Sequence, residues 1–123
     1  ILGTCAGLIM MSRSVNDIRV KSLNILDIEV DRNAYGRQVN SFTDKLSISI
    51  EGISKNITAT FIRAPKINNM GKEIEIISSY KNEPVAVKQG IHMGLAFHPE
   101  LDGITLFHDF IFVKQFNKKS HAA

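Results

Sequence analysis

Two short stretches carry residue types that could do chemistry together. Gly3-Thr4-Cys5-Ala6-Gly7 has the form Gly-x-nucleophile-x-Gly. That form suits a nucleophile on a sharp turn between a strand and a helix, where small neighbours relieve crowding. The positive end of the following helix would favour the Cys5 thiolate over the thiol. The backbone N–H of Ala6 would point to where a carbonyl oxygen becomes an oxyanion. The same five residues also suit a buried cysteine in a glycine-flanked turn.

The second stretch is Gly94-Leu95-Ala96-Phe97-His98-Pro99-Glu100, an apolar run closed by a polar end. Pro99 holds the backbone of His98 extended, and in an extended segment residues two apart share a face. Glu100 can then accept a hydrogen bond from one imidazole nitrogen and aim the other at a nucleophile, as a third group orients a general base. A simple polar strand end is the plainer alternative. Of the other histidines, His92 falls out of phase with its apolar neighbours and is expected in solvent. His108 stands among phenylalanines as a packing or surface residue, and His121 lies in the tail.

The elements that must position these residues follow from the apolar pattern. A helix is predicted over Ala6 to about Arg13, packed on Leu8, Ile9 and one of Met10 or Met11. Leu26 to Val30 reads as a strand, followed by a polar loop, Asp31-Arg32-Asn33-Ala34-Tyr35-Gly36-Arg37-Gln38. Leu46, Ile48 and Ile50 alternate with Lys45, Ser47 and Ser49, the period of a half-buried strand. Further strands are predicted over Ile57 to Ile62, Lys72 to Tyr80, Val85 to Lys88 and Ile91 to Phe97, with turns at Lys81-Asn82-Glu83 and Gln89-Gly90. Leu106, Phe107, Phe110, Ile111 and Val113 mark an amphipathic helix from Ile104 to about Phe116. Two helices and about six strands make an α/β domain with an antiparallel hairpin region.

Length and composition bound the rest. At 123 residues and 44% hydrophobic content the chain suits one domain, read over 1–123. No apolar run approaches the ~20 residues that span a bilayer, so no membrane is expected. Fifteen basic and 12 acidic residues leave a scattered net charge of +3, too diffuse to point to nucleic acid. A single cysteine excludes an internal disulfide and a Cys-rich zinc site. The opening Ile1-Leu2-Gly3-Thr4-Cys5 reads like the middle of a buried strand, so the chain is expected to be a piece of a longer protein.

Taken in order, Gly3-Thr4-Cys5-Ala6-Gly7, Asp31 to Gln38 with Ser41-Phe42, Phe61-Ile62-Arg63-Ala64-Pro65 and Phe97-His98-Pro99-Glu100-Leu101 resemble the class I, triad-type glutamine amidotransferases. More narrowly they resemble the glutaminase subunits of two-subunit pyridoxal 5′-phosphate synthases. The resemblance implies a flavodoxin-like three-layer fold, here its C-terminal portion. It implies that Cys5 attacks glutamine, His98 moves the proton and Glu100 orients His98. Arg32, Ile62 and Arg63 would contact the substrate, with the Arg32 guanidinium suited to a carboxylate. A loop-bracing ion pair is the alternative for either arginine. Ammonia would pass to a synthase subunit in a hetero-oligomer, in the cytoplasm, with no cofactor or metal needed in this subunit. A triad glutaminase serving another synthase and a non-catalytic interaction fragment are the alternatives.

Two departures stand out. The family usually has Leu-Gly where this chain has Leu23-Asn24, a position where Asn also tolerates a left-handed backbone. The strands, helices and Gly-rich turn that the family places ahead of the nucleophile are not among these residues. Residues 1–123 alone are therefore expected to be poorly soluble or inactive unless that part is supplied.

Overall fold

The structure, a computed structural model, describes residues 1–17, 20–32 and 42–114. Strand β1 (Leu2–Thr4) runs into helix α1 (Ala6–Met11), and the short β2 (Ser14–Val15) and β3 (Ile28–Asp31) follow. Next come β4 (Phe42–Ile50), β5 (Ile53–Phe61), β6 (Lys66–Met70), β7 (Glu75–Tyr80), β8 (Glu83–Gln89) and β9 (His92–Leu95). A 3-10 turn (Pro99–Asp102), a single helical turn α2 (Leu106–His108) and a π-helical turn (Asp109–Lys114) close the described chain.

The class is mixed α/β, as the sequence predicts. Three sheets form, in the orders β1-β9-β8-β7, β2-β3-β6 and β4-β5. Among the described residues parallel pairing is confined to β1 with β9 and β2 with β3, and the other pairs are antiparallel. The described residues hold no helix long and apolar enough to cross a membrane.

Local chemistry explains most boundaries. In β4, Leu46, Ile48 and Ile50 are buried while Ser47 and Ser49 are exposed, so the period-2 pattern sets one face inward. Glu51 at φ 43 and Gly52 at φ 81 make the tight link to β5, and Lys81 and Asn82, at φ 49 and 67, make the link to β8. Two positive φ angles in a two-residue loop match the twist of the flanking strands. Helix α1 ends where Ser12 turns extended and its hydroxyl donates to Ile9 O at 2.7 Å. Leu8 and Met11 face the core and Met10 does not. Asn24 sits at φ 54, the left-handed position that its place in Leu23-Asn24 anticipates.

Some boundaries differ from expectation. The strand expected over Lys72 to Tyr80 begins at Glu75, and the strand expected from Ile57 begins at Ile53. The terminal helix is not continuous: a single α turn passes into a π turn. Phe107, Phe110 and Ile111 still face the core, so the apolar spacing located the buried face and not the helix type. Residues 115–116 of that expectation, residues 33–41 of the loop motif and His121 lie outside the described residues.

One core runs beneath all three sheets. Phe61 lies 5.7 Å from Phe97, and Phe97 lies 5.6 Å from Phe107, ring centre to ring centre. These rings tie β5, the end of the β9 segment and α2 together, each contributing on the order of 2–3 kcal/mol by burial. Phe97 directly precedes His98, so the core fixes the backbone from which that imidazole projects.

Candidate active site

Cys5 lies between β1 and α1 at φ 47, ψ −100. A cysteine with positive φ is sterically costly and persists only where its surroundings enforce it. Those surroundings are visible. Its N–H donates to Leu95 O at 2.8 Å, extending the β1–β9 ladder by one residue. A Cβ at Gly3 would come within 2.7 Å of the Gly7 carbonyl carbon, so a glycine there lets α1 fold back tightly over β1. Ala6, the first residue of α1, has an N–H with no acceptor inside the helix.

Parallel pairing brings the second stretch alongside. Thr4 stands opposite Leu95, so the chain continues to Cys5 on one strand and toward His98 on the other from the same end of the sheet. His98 is extended, at φ −108 and ψ 90, and Glu100 lies in the 3-10 turn after it. His98 Nδ1 is 2.7 Å from Glu100 Oε1. The pairing expected from residues two apart is present, although Glu100 sits in a turn rather than in a continued strand. With Nδ1 engaged by the carboxylate, Nε2 is the nitrogen left for proton transfer.

The electrostatics depart from expectation at the thiol. Burial pushes the Cys5 thiol up to about 12, and the nearby Glu100 carboxylate adds to the rise. The sulfur donates to Ala96 O at 3.4 Å, a bond that only the protonated form can make. Helix α1 is six residues long, and its dipole does not outweigh this desolvation. This environment favours the thiol of Cys5, contrary to the thiolate expected from the helix dipole. Burial raises Glu100, but its own backbone N–H and the hydrogen bond and charge of His98 outweigh that, and His108 adds to them. The net effect is a carboxyl below its usual value.

The expected substrate contacts divide. Ile62 and Arg63 follow Thr60, whose carbonyl accepts from the His98 N–H at 3.0 Å, so they leave β5 beside the histidine. Both are exposed, and Arg63 has φ 45, the left-handed backbone that Glu51 and Lys81 also adopt in the hairpin links. Arg32 is instead engaged by Asp17, Nη1 to Oδ2 at 3.0 Å, with the Asp17 side chain 8% exposed. Its N–H donates to Asn16 Oδ1 at 2.9 Å. That is a bracing pair, and it leaves Arg32 unjoined to Cys5, His98 or Glu100. Two contributors went unnoticed in the sequence: the Ala96 carbonyl, and Gly94, where a Cβ would come 2.8 Å from Leu26 Cδ1. A glycine inside an apolar strand was the available signal for the latter. Among the described residues no three His, Cys, Asp or Glu side chains converge to hold a metal. His92 is half-buried rather than exposed, and His108 is at the surface.

A nucleophilic thiol, an imidazole and an orienting carboxylate in this order can perform acyl transfer through a thioester. Residues 1–118 match the model of the SNO glutamine amidotransferase family. The chain is 48% identical over 110 residues to the pyridoxal 5′-phosphate synthase subunit PdxT of Thermoplasma acidophilum, covering 89% of this chain and 52% of that protein. It is 40% identical over 123 residues to PdxT of Haloquadratum walsbyi, covering 100% of this chain and 59% of that one. A crystal structure of a glutamine amidotransferase superposes with a TM-score of 0.80 at 35% identity, over 89% of this chain and 57% of that chain. The chain thus spans somewhat more than half the length of the relatives it matches.

Proposed function

We propose, for a chain that belongs to the SNO glutamine amidotransferase family, that its site hydrolyses L-glutamine to L-glutamate and ammonia through a thioester on Cys5. The observation that carries this reading is the 2.7 Å contact of His98 Nδ1 with Glu100, at the end of the β1–β9 pair to which Cys5 also belongs.

His98 Nε2 takes the Cys5 proton as the sulfur attacks the side-chain amide carbon of glutamine. The Ala6 N–H donates to the oxyanion. As the tetrahedral intermediate collapses, the carbon–nitrogen bond breaks, and the proton on Nε2 goes to the departing nitrogen, which leaves as ammonia. Water then attacks the thioester, giving its proton to His98, and the thiol is regenerated as glutamate departs. Glu100 holds imidazole and imidazolium in one orientation throughout. Ile62 and Arg63 border the substrate, and the Arg32 guanidinium suits its α-carboxylate.

The names of the relatives support a pyridoxal 5′-phosphate synthase subunit as the receiver of ammonia, in a hetero-oligomer. A cytoplasmic setting keeps a lone nucleophilic thiol reduced. The raised thiol favours a second reading, a non-catalytic member of the fold. The intact protein, assayed for glutamate release with and without a purified synthase subunit, decides between them. Cys5→Ala is expected to cut hydrolysis by at least ~1000-fold, and the synthase subunit to raise the parental rate. A Cys5→Ala protein at the parental rate would sink the mechanism, and no response to the synthase subunit would sink the pairing.

A further inference from the structure

The turn that carries Glu100 is fastened at both ends by one residue of β5. At its start the His98 N–H donates to Thr60 O at 3.0 Å. At its end the Thr60 hydroxyl donates to Asp102 Oδ2 at 2.8 Å. Thr60 Oγ1 also lies 3.1 Å from Thr43 Oγ1. A hydroxyl has one proton to give, and that of Thr60 is committed to Asp102, so Thr43 donates into Thr60. The turn is closed on itself as well, with Gly103 at φ 66 as its left-handed cap and the Ile104 N–H donating to Pro99 O at 3.0 Å. The Glu100 side chain is 53% exposed, so packing does not fix it. Its approach to His98 depends on where the backbone bracket stands.

We propose that Thr60 and Asp102 are positioning residues for the His98–Glu100 pair, their hydroxyl–carboxylate bond setting the turn from which Glu100 selects the tautomer and aim of His98. The inference rests on the glutaminase reading of the site and extends it to two residues that touch no reacting atom. A bond to a carboxylate is charge-assisted and directional. A misplacement of about 1 Å at a catalytic group costs on the order of 100-fold in rate. Releasing one of two anchors therefore falls on turnover rather than on binding.

Two substitutions at one position separate this role from simple packing. Thr60→Val keeps the branched shape and removes the donor, whereas Thr60→Ser keeps the donor and removes a methyl group. In the intact protein Thr60→Val is expected to lower kcat for glutamine hydrolysis roughly 10- to 100-fold with KM within about twofold. Thr60→Ser is expected to retain at least roughly half of the parental kcat. Asp102→Asn, which keeps an acceptor oxygen, is expected to lie between the parent and Asp102→Ala. The 15N chemical shifts of the His98 ring report the tautomer without any catalysis. The Nδ1–H form should dominate in the parent and in Thr60→Ser, and the Nε2–H form should appear in Thr60→Val. Equal rates and equal tautomers in the two Thr60 variants would overturn the inference, as would an equal loss in both. A tautomer shift in Thr60→Val within a protein that hydrolyses no glutamine would support the bracket and refute the glutaminase reading.

Discussion

Cys5 is the single thiol of the chain, so its chemistry can be followed without interference. With its pKa raised to about 12, far fewer molecules should carry a thiolate at neutral pH than the few per cent expected of a free cysteine. Alkylation by iodoacetamide at pH 7 should therefore run at least ~100-fold slower than that of free cysteine. The rate should climb about tenfold per pH unit with no plateau below roughly pH 10. The sign for stability follows from the same shift. The folded state favours the protonated thiol, so this contribution is complete below the ordinary value of 9.0 and is lost as pH rises toward 12. A plateau near neutrality would mean a standing Cys5–His98 ion pair and would contradict the resting thiol. The motif around Cys5 made the strand-to-helix turn legible, and residues two apart made the His98–Glu100 pair legible. The protonation state was not, because it depends on burial and on the Glu100 carboxylate, far away along the chain.

At the level of elements, the turn geometry depends on two glycines that face each other in the β1–β9 ladder, Gly3 and Gly94. A side chain at Gly3 would strike the Gly7 backbone, and one at Gly94 would strike Leu8 and Leu26. Gly7 differs: a Cβ there meets nothing within 4 Å. Urea unfolding should show Gly3→Ala and Gly94→Ala destabilised by about 1–3 kcal/mol or more through overpacking. Gly7→Ala should be neutral or stabilised by up to ~1 kcal/mol, since alanine is the better helix former. A Gly7→Ala loss equal to that of Gly3→Ala would refute this account of the elbow.

Elements with a clean period were legible, β4 above all. Strand β6, Lys66–Met70, was not, because only Ile67 of its five residues is buried and a proline stands directly before it. The last helix was misjudged in type because the same apolar spacing serves α and π turns alike.

Across the whole molecule, a bond between Tyr80 and Asp44 joins the sheet of β7 to the hairpin of β4, at 2.7 Å. The hydrogen bond from Tyr80 holds the Asp44 carboxyl below its usual value, helped by the Lys45 N–H. The same bond raises the Tyr80 phenol above its own. The two shifts act on opposite limbs. Stability from Asp44 is present above its ordinary value of 3.8 and fades as pH falls through the lowered one. Stability from Tyr80 is present below 10.0 and fades as pH rises through the raised one. Tyr80→Phe should therefore differ most from the parent in melting temperature near neutral pH, with the gap closing as pH falls below 3.8 and again as it rises above 10.0. A gap that stays constant across this range would mean that the hydroxyl's contribution does not depend on the charge of Asp44. Such links between sheets were not legible in the sequence, since neither residue belongs to a motif and the two lie 36 positions apart.

The pairing of β1 with β9 also has a meaning in time. Residues 91 positions apart must meet before Cys5 is enclosed. At ~5–20 residues added per second, synthesis separates Cys5 from its cover by roughly 5–18 s. During that interval the nascent chain carries an open, ordinary thiol. Only when the strand that leads to His98 arrives is the Cys5 sulfur covered by the Leu95–Ala96 segment, so a ribosome stalled before Leu95 would hold a chain whose thiol lacks that cover.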